Sequence, residues 1–237
     1  VIAKKLMMRE VKKVKSKMLI LVFIVMLLSF VSIVVFASHP LTTDDAGVLG
    51  TGNYELEVGY NNAFSDTDIR NITSGVSLKH GITDKLDLGL SFPYQVDPVS
   101  NERFGEAALS LKFSLIKDLL AISYTNECGE SSYALNGIFT YEIKPFTTHY
   151  NLGYLQSGDK TVNGITSYSA AIEYPLEKID FVAEVLGKDD GSSQSGFVDW
   201  LIGVRYKLNE KNIVSAGLGK SFKDVSNNVV LGYHLNF

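Results

Sequence analysis

The sequence predicts an all-β chain closed into a single antiparallel transmembrane β-barrel of about twelve strands, with short turns at one end and longer loops at the other. Three observations point there. Beyond residue 51 apolar and polar residues alternate with a period of two, interrupted by Gly, Asn, Asp and Pro. The less apolar face is built mainly of Gly, Ser, Ala and Asn with sparse charges, which suits a crowded lumen better than a wetted sheet face. Connections between the alternating segments are tight and long in turn.

Residues 1–17 carry seven bases and one acid, Glu10, and residues 19–36 carry no charge. Val35-Phe36-Ala37 supplies small residues for a cut after Ala37. Residues 1–38 are therefore expected to be a signal peptide. The apolar run also has the length of an anchor, but a barrel precursor must cross the inner membrane completely, which favours cleavage. Residues 39–51 are expected to form a periplasmic N-terminal segment and residues 52–237 the outer-membrane barrel.

The strands are expected at about 52–63, 71–80, 85–95, 104–116, 119–127, 133–143, 146–156, 166–176, 178–187, 196–208, 212–222 and 227–237. In the third, Leu86, Leu88, Leu90, Phe92 and Tyr94 oppose Asp87, Gly89, Ser91, Pro93 and Gln95. In the fourth, Leu109, Leu111, Phe113 and Leu115 oppose Ala108, Ser110, Lys112 and Ser114. The tenth sets Val198, Trp200, Ile202, Val204 and Tyr206 against Asp199, Gly203, Arg205 and Lys207. The last sets Val229, Leu231, Tyr233, Leu235 and Phe237 against Asn228, Gly232, His234 and Asn236, with Val230 on that second face as well. Aromatics such as Tyr54, Tyr60, Tyr94, Tyr168, Tyr174 and Phe237 gather toward strand ends, as interfacial girdles do. An unpaired sheet edge in hydrocarbon would strand its backbone polar groups, so the sheet must close.

The chain holds 22 bases and 26 acids, and setting aside residues 1–17 leaves 15 against 25, a formal net charge of −10. Phosphates repel such a surface, which excludes nucleic acid as a partner. Outer-membrane lipid is the expected surrounding. A lone cysteine, Cys128, provides neither a disulfide framework nor a Cys-rich zinc site, and no cofactor is expected.

The inner face is expected to hold the acids Glu55, Glu57, Asp87, Glu106, Glu142, Glu173, Asp180, Glu184 and Asp199, and the bases Lys79, Lys112, Arg205 and Lys207. Two readings fit them: a charge network that fills and stiffens the lumen, or a polar, cation-tolerant passage. Asp44 and Asp45 precede the strands and suit either a plug whose carboxylates meet Lys79 or Arg205, or a tail whose Asp residues make turns. The histidines, His39, His80, His149 and His234, stand beside no catalytic motif, so no catalytic or metal residue is assigned and the chain is not expected to be an enzyme. The pairs Asp66 and Asp68, and Asp189 and Asp190, belong to polar loops whose acids are expected to be solvated.

The terminal YHLNF, with Tyr233, Leu235 and Phe237 at alternate positions, resembles the sorting signal of bacterial outer-membrane barrels, which implies recognition by the barrel assembly machinery. A second resemblance rests on His39-Pro40-Leu41-Thr42-Thr43-Asp44-Asp45-Ala46-Gly47, on Tyr54-Glu55-Leu56-Glu57, and on Gly81-Ile82-Thr83-Asp84-Lys85-Leu86-Asp87-Leu88 followed by Phe92-Pro93-Tyr94. These stretches are similar to the start of the outer-membrane transporter family associated with the meta-pathway of phenol degradation. That resemblance implies a passive porin-like transporter or channel for small hydrophobic or aromatic solutes. The alternatives are a closed barrel with a structural or loop-borne binding role and, behind it, an outer-membrane enzyme.

Overall fold

The computed structural model describes residues 39–65, 70–99, 103–128, 131–159, 163–192, 195–222 and 226–237. The expected signal peptide, and Asp66 and Asp68, lie outside the described residues.

Twelve strands form: β1 (Tyr54–Ser65), β2 (Arg70–Thr83), β3 (Leu86–Asp97), β4 (Ala108–Ile116), β5 (Leu120–Glu127), β6 (Tyr133–Ile143), β7 (Phe146–Gln156), β8 (Ile165–Pro175), β9 (Ile179–Asp189), β10 (Gly196–Lys207), β11 (Asn212–Ser221) and β12 (Ser226–Asn236). Each pairs antiparallel with its neighbours in sequence, and β12 returns to β1 to close the barrel. Along that seam Leu56 faces Leu235, Val58 faces Tyr233 and Tyr60 faces Leu231, apolar cross-strand pairs on the outer surface.

The β4 boundary differs from expectation. Residues 104–107 were expected inside the strand, but Phe104 makes only an isolated bridge to Tyr94 and β4 begins at Ala108. Opposite them stands Pro93. It accepts a hydrogen bond from Gly105 N at 3.0 Å but has no N–H to return, so the ladder lapses there. Glu106 is consequently exposed, ahead of the strand.

Burial is inverted relative to a water-soluble protein. Glu57 is 0% and Glu184 3% exposed, whereas Leu152 is 65% and Leu218 59% exposed. Charges turned inward and a continuous apolar outside are what hydrocarbon solvent selects. The short connections lie at one end of the barrel, here the turn end. There Asp118 takes a left-handed φ of 55°, a conformation that Asp tolerates in turns, and Leu119 N donates to Ile116 O at 3.0 Å. Also at this end Tyr54 and Phe237 exchange backbone hydrogen bonds of 2.8 and 3.0 Å, their rings stacked 5.4 Å apart.

Candidate functional site

Residues 39–53 form no strand, and their first eleven thread the lumen. Away from water every backbone N–H needs an acceptor, and here the inner wall supplies most of them. His39 N donates to Glu57 Oε1 at 3.2 Å. Thr42 N and Thr43 N donate to the Glu184 carboxylate at 2.9 and 2.8 Å, and the Thr43 hydroxyl adds a third contact at 2.7 Å. Asp44 N donates to Asn151 Oδ1 while Asn151 Nδ2 donates back to Asp44 O, both at 2.8 Å. Ala46 N reaches the Thr140 hydroxyl at 2.8 Å, and Leu49 N reaches the Asp87 carboxylate at 3.0 Å. In the opposite sense Arg205 Nε donates to His39 O at 2.8 Å.

Shape matches as well as polarity. Leu41 packs among Ala171, Val182, Leu201 and Val230, and Ala46 against Ala121 and Ile138. A Cβ on Gly203 would stand 2.6 Å from Pro40 Cγ, and one on Gly232 would stand 2.6 Å from His39 Cβ. These glycines hollow the wall for the first residues of the segment. At its exit Gly50 and Gly52 adopt φ of 78° and 82°, which a side chain would strain. Gly81 lies so close to the Gly50 carbonyl that an added Cβ would sit 1.8 Å from it.

The inward charges fall into groups. Lys79 Nζ lies 2.7 Å from Glu55 and 3.8 Å from Glu57. Lys112 Nζ lies 3.0 Å from Asp44 and 4.0 Å from Asp45. The expected partners of these two acids, Lys79 and Arg205, thus stand elsewhere: Arg205 pairs with Glu173, whose Oε1 is also 3.5 Å from His149 Nε2. Lys207 Nζ lies 2.7 Å from Asp180. Glu142 shares the inward parity of Thr140 and stands exposed near the turn end of β6.

Glu55, Glu57 and His234 bring three donor atoms within 4.8 Å of one another. The Lys79 ammonium already stands against both carboxylates, so the group reads as an ion-pair cluster. His80 stacks on Tyr54 with ring centroids 4.1 Å apart, and the His149 ring shares the Thr140 hydroxyl at 2.9 Å. Cys128 is exposed at the end of β5. At the loop end of β9, Asp189 accepts from Gly191 N at 3.0 Å and, in the loop that follows, Asp190 accepts from Ser192 N at 2.9 Å. Contacts with Ser192 and Lys188 hold the Asp190 carboxyl well below the usual range.

Beside the inserted segment runs a cavity of about 960 Å³. It is lined from Asn236 and Glu55 near the turn end to Ala134 and Leu155 near the loop end, nearly the height of the wall. Lys79, Asp87, Lys112, Asp199, Asp44 and Asp45 also line it, whereas Glu57 and Glu184 lie buried outside its lining. Sequence reasoning passed over Asn151 and Thr140, which hold the segment; their inward position in the alternation was the available signal.

No family model matches the chain, and no curated protein matches it. Solved structures do. A KdgM porin is 12% identical, over 76% of this chain and 99% of its own, with a TM-score of 0.56; another structure of it is described in complex with disordered oligogalacturonate. The NanC porin is 7% identical over 76% of this chain and 98% of its own, with a TM-score of 0.59. An outer membrane channel from Pseudomonas putida F1 is 12% identical over 81% and 98%, with a TM-score of 0.57. The fold is that of a porin-type barrel. The inserted segment, contributed by the chain ahead of β1, takes up part of the barrel's interior, and the cavity lies beside it.

Proposed function

We propose that the protein is a passive outer-membrane conduit for small solutes, with the turn end in the periplasm and the loop end outside. The observation that carries this is the cavity, which extends beside residues 42–49 and is lined from the turn end of the wall to its loop end. The apolar exterior supports the membrane setting, and the even number of strands puts both strand termini at the turn end. The N-terminal segment acts as a plug that narrows the lumen, with Asp44 and Asp45 anchored on Lys112. Tyr233, Leu235 and Phe237 serve recognition by the barrel assembly machinery, consistent with Leu235 and Tyr233 lying on the outer face of the closing strand.

The hydrophobic or aromatic solutes implied by the N-terminal resemblance find support in a second feature. A shallow hollow of about 410 Å³, lined by Tyr150, Ala170, Ile172, Ala183, Trp200 and Ile202 among others, marks the wall at β7–β10, and offers an apolar molecule a place to lodge over strands that stay paired beneath it. The oligogalacturonate of the similar porin is a polyanion, and the acids along this lumen argue against it here.

The test is conductance of the refolded protein in planar bilayers, with a Glu55→Ala, Glu57→Ala variant alongside. Stable steps whose ion preference weakens in the variant are expected. Silence from a demonstrably folded barrel would reject the aqueous route and leave lateral transfer or a role for the loops.

A further inference from the structure

We infer that residues 39–50 are a fixed lining of the passage, and that solutes move past the segment while it stays seated instead of displacing it; this deepens the conduit reading and rests on it. The observation is the order in which the segment's backbone meets the wall. His39 N donates to Glu57 of β1. His39 and Pro40 then press on the positions where Gly232 of β12, Gly217 of β11 and Gly203 of β10 lack a side chain. Thr42 N and Thr43 N follow on Glu184 of β9, Asp44 N on Asn151 of β7 and Ala46 N on Thr140 of β6. Leu49 N ends on Asp87 of β3, and the Gly50 carbonyl lies against Gly81 of β2. These partners follow the strand order around the barrel, from β1 through β12 and on to β2. The segment is thus a hoop laid along the inner wall.

A stopper held at one end leaves by giving up a few contacts at the other. Here the contacts are distributed over every sector of the wall, and His39, Leu41 and Thr43 are each 1% and Ala46 0% exposed. Unseating the hoop would bring Leu41 and Ala46 into water and strip the Glu184 carboxylate of its donors. The cavity requires no such movement. It runs beside the seated hoop, with Thr42, Asp44, Asp45, Gly47, Val48 and Leu49 in its lining. Those residues therefore set the cross-section open to a solute together with the wall.

The experiment locks the hoop to the wall in a Cys128→Ser background. One pair is Pro40→Cys with Gly217→Cys, where a Cβ at 217 would stand 3.0 Å from the Pro40 Cβ, a little inside the roughly 3.5–4.5 Å of a disulfide. The other is Ala46→Cys with Ala121→Cys, two members of one buried cluster. Potassium chloride conductance and tracer arabinose uptake are measured on each folded barrel, first oxidised and then reduced, so that each is its own control. Both readouts are expected to stay the same on reduction. Val48→Phe, which enlarges a side chain of the cavity lining, is expected to lower both. A gain on reduction would overturn the fixed lining and leave a conduit with a displaceable stopper. Failure of both pairs to oxidise in the folded barrel would likewise overturn it, by showing the segment unseated. Silence of the folded wild-type barrel in both readouts would reject the conduit itself, and the lining role with it.

Discussion

Thr43 and Glu184 meet twice, the backbone N–H at 2.8 Å and the hydroxyl at 2.7 Å, both donating to the same carboxylate oxygen. Hydrogen bonds to a charged acceptor are worth about 1.5–3 kcal/mol each, and Thr42 N reaches the same group. Glu184→Ala is therefore expected to loosen the inserted segment without unpairing β9. Its signature is faster protease cleavage within 39–50 and a higher, noisier conductance, with Glu184→Gln intermediate. Unchanged protection in Glu184→Ala would show that other contacts suffice to hold the segment.

Gly232 gives a steric counterpart. A valine there would press on His39 Cβ and on the Ser215 hydroxyl, 2.6 and 2.5 Å from the position of its Cβ. Overpacking of this kind costs about 1–3 kcal/mol. Gly232→Val is expected to displace the start of the segment and raise conductance while the β-sheet circular dichroism stays the same. A variant with wild-type conductance would mean that the wall yields instead.

The two faces of the wall should answer oppositely to charge. Leu231 lies midway along β12 on the outer surface, 47% exposed. Leu231→Lys is expected to destabilise the barrel by about 2–4 kcal/mol, the range for a cation at the bilayer midplane. Ser110→Lys, inside the cavity, should cost far less. Urea unfolding in vesicles compares them, and equal costs would contradict the inside-out arrangement.

Asp84, in the turn between β2 and β3, accepts hydrogen bonds from the Thr51 hydroxyl at 2.7 Å and from Thr51 N at 3.2 Å. These contacts hold its carboxyl below the ordinary 3.8. Because the folded value is the lower one, the stabilisation is complete above the ordinary value and is lost as pH falls through the folded value. Thr51→Val removes the stronger contact, so the Asp84 titration midpoint followed by carboxyl-carbon NMR should rise toward 3.8. A midpoint that does not move would assign the depression to another cause.

The wall was legible because a barrel strand writes its two solvents into alternate residues. Leu88, Leu90 and Phe92 against Asp87, Gly89 and Ser91 suffice to orient β3. Pro93 was visible too, but its effect on β4 depended on which residue stood opposite. The inserted segment was harder. Its order comes from scattered hydrogen bonds to Asn151, Thr140 and Glu184, residues 94 to 142 positions away that leave no periodic trace. One sign was present: Val230 and Leu201, apolar residues on the inner face, broke the pattern, and both surround Leu41. The partners of Asp44 and Asp45 depended on axial level. Lys112 reaches the depth at which the segment turns, whereas Lys79 is held by Glu55.

Eleven of the barrel's ladders join strands adjacent in sequence, and only the one between β1 and β12 does not. Hairpin formation along the chain needs little loop closure, but that last ladder must bring Glu55 to Asn236 across the whole wall. Until it zips, the sheet is an open ribbon with both edges raw. The segment ahead of β1 has only this interval in which to settle from the side, because afterwards the wall surrounds it. Assembly is thus expected to have one slow, committing event, after which residues 39–49 can enter or leave only through the mouths of the barrel.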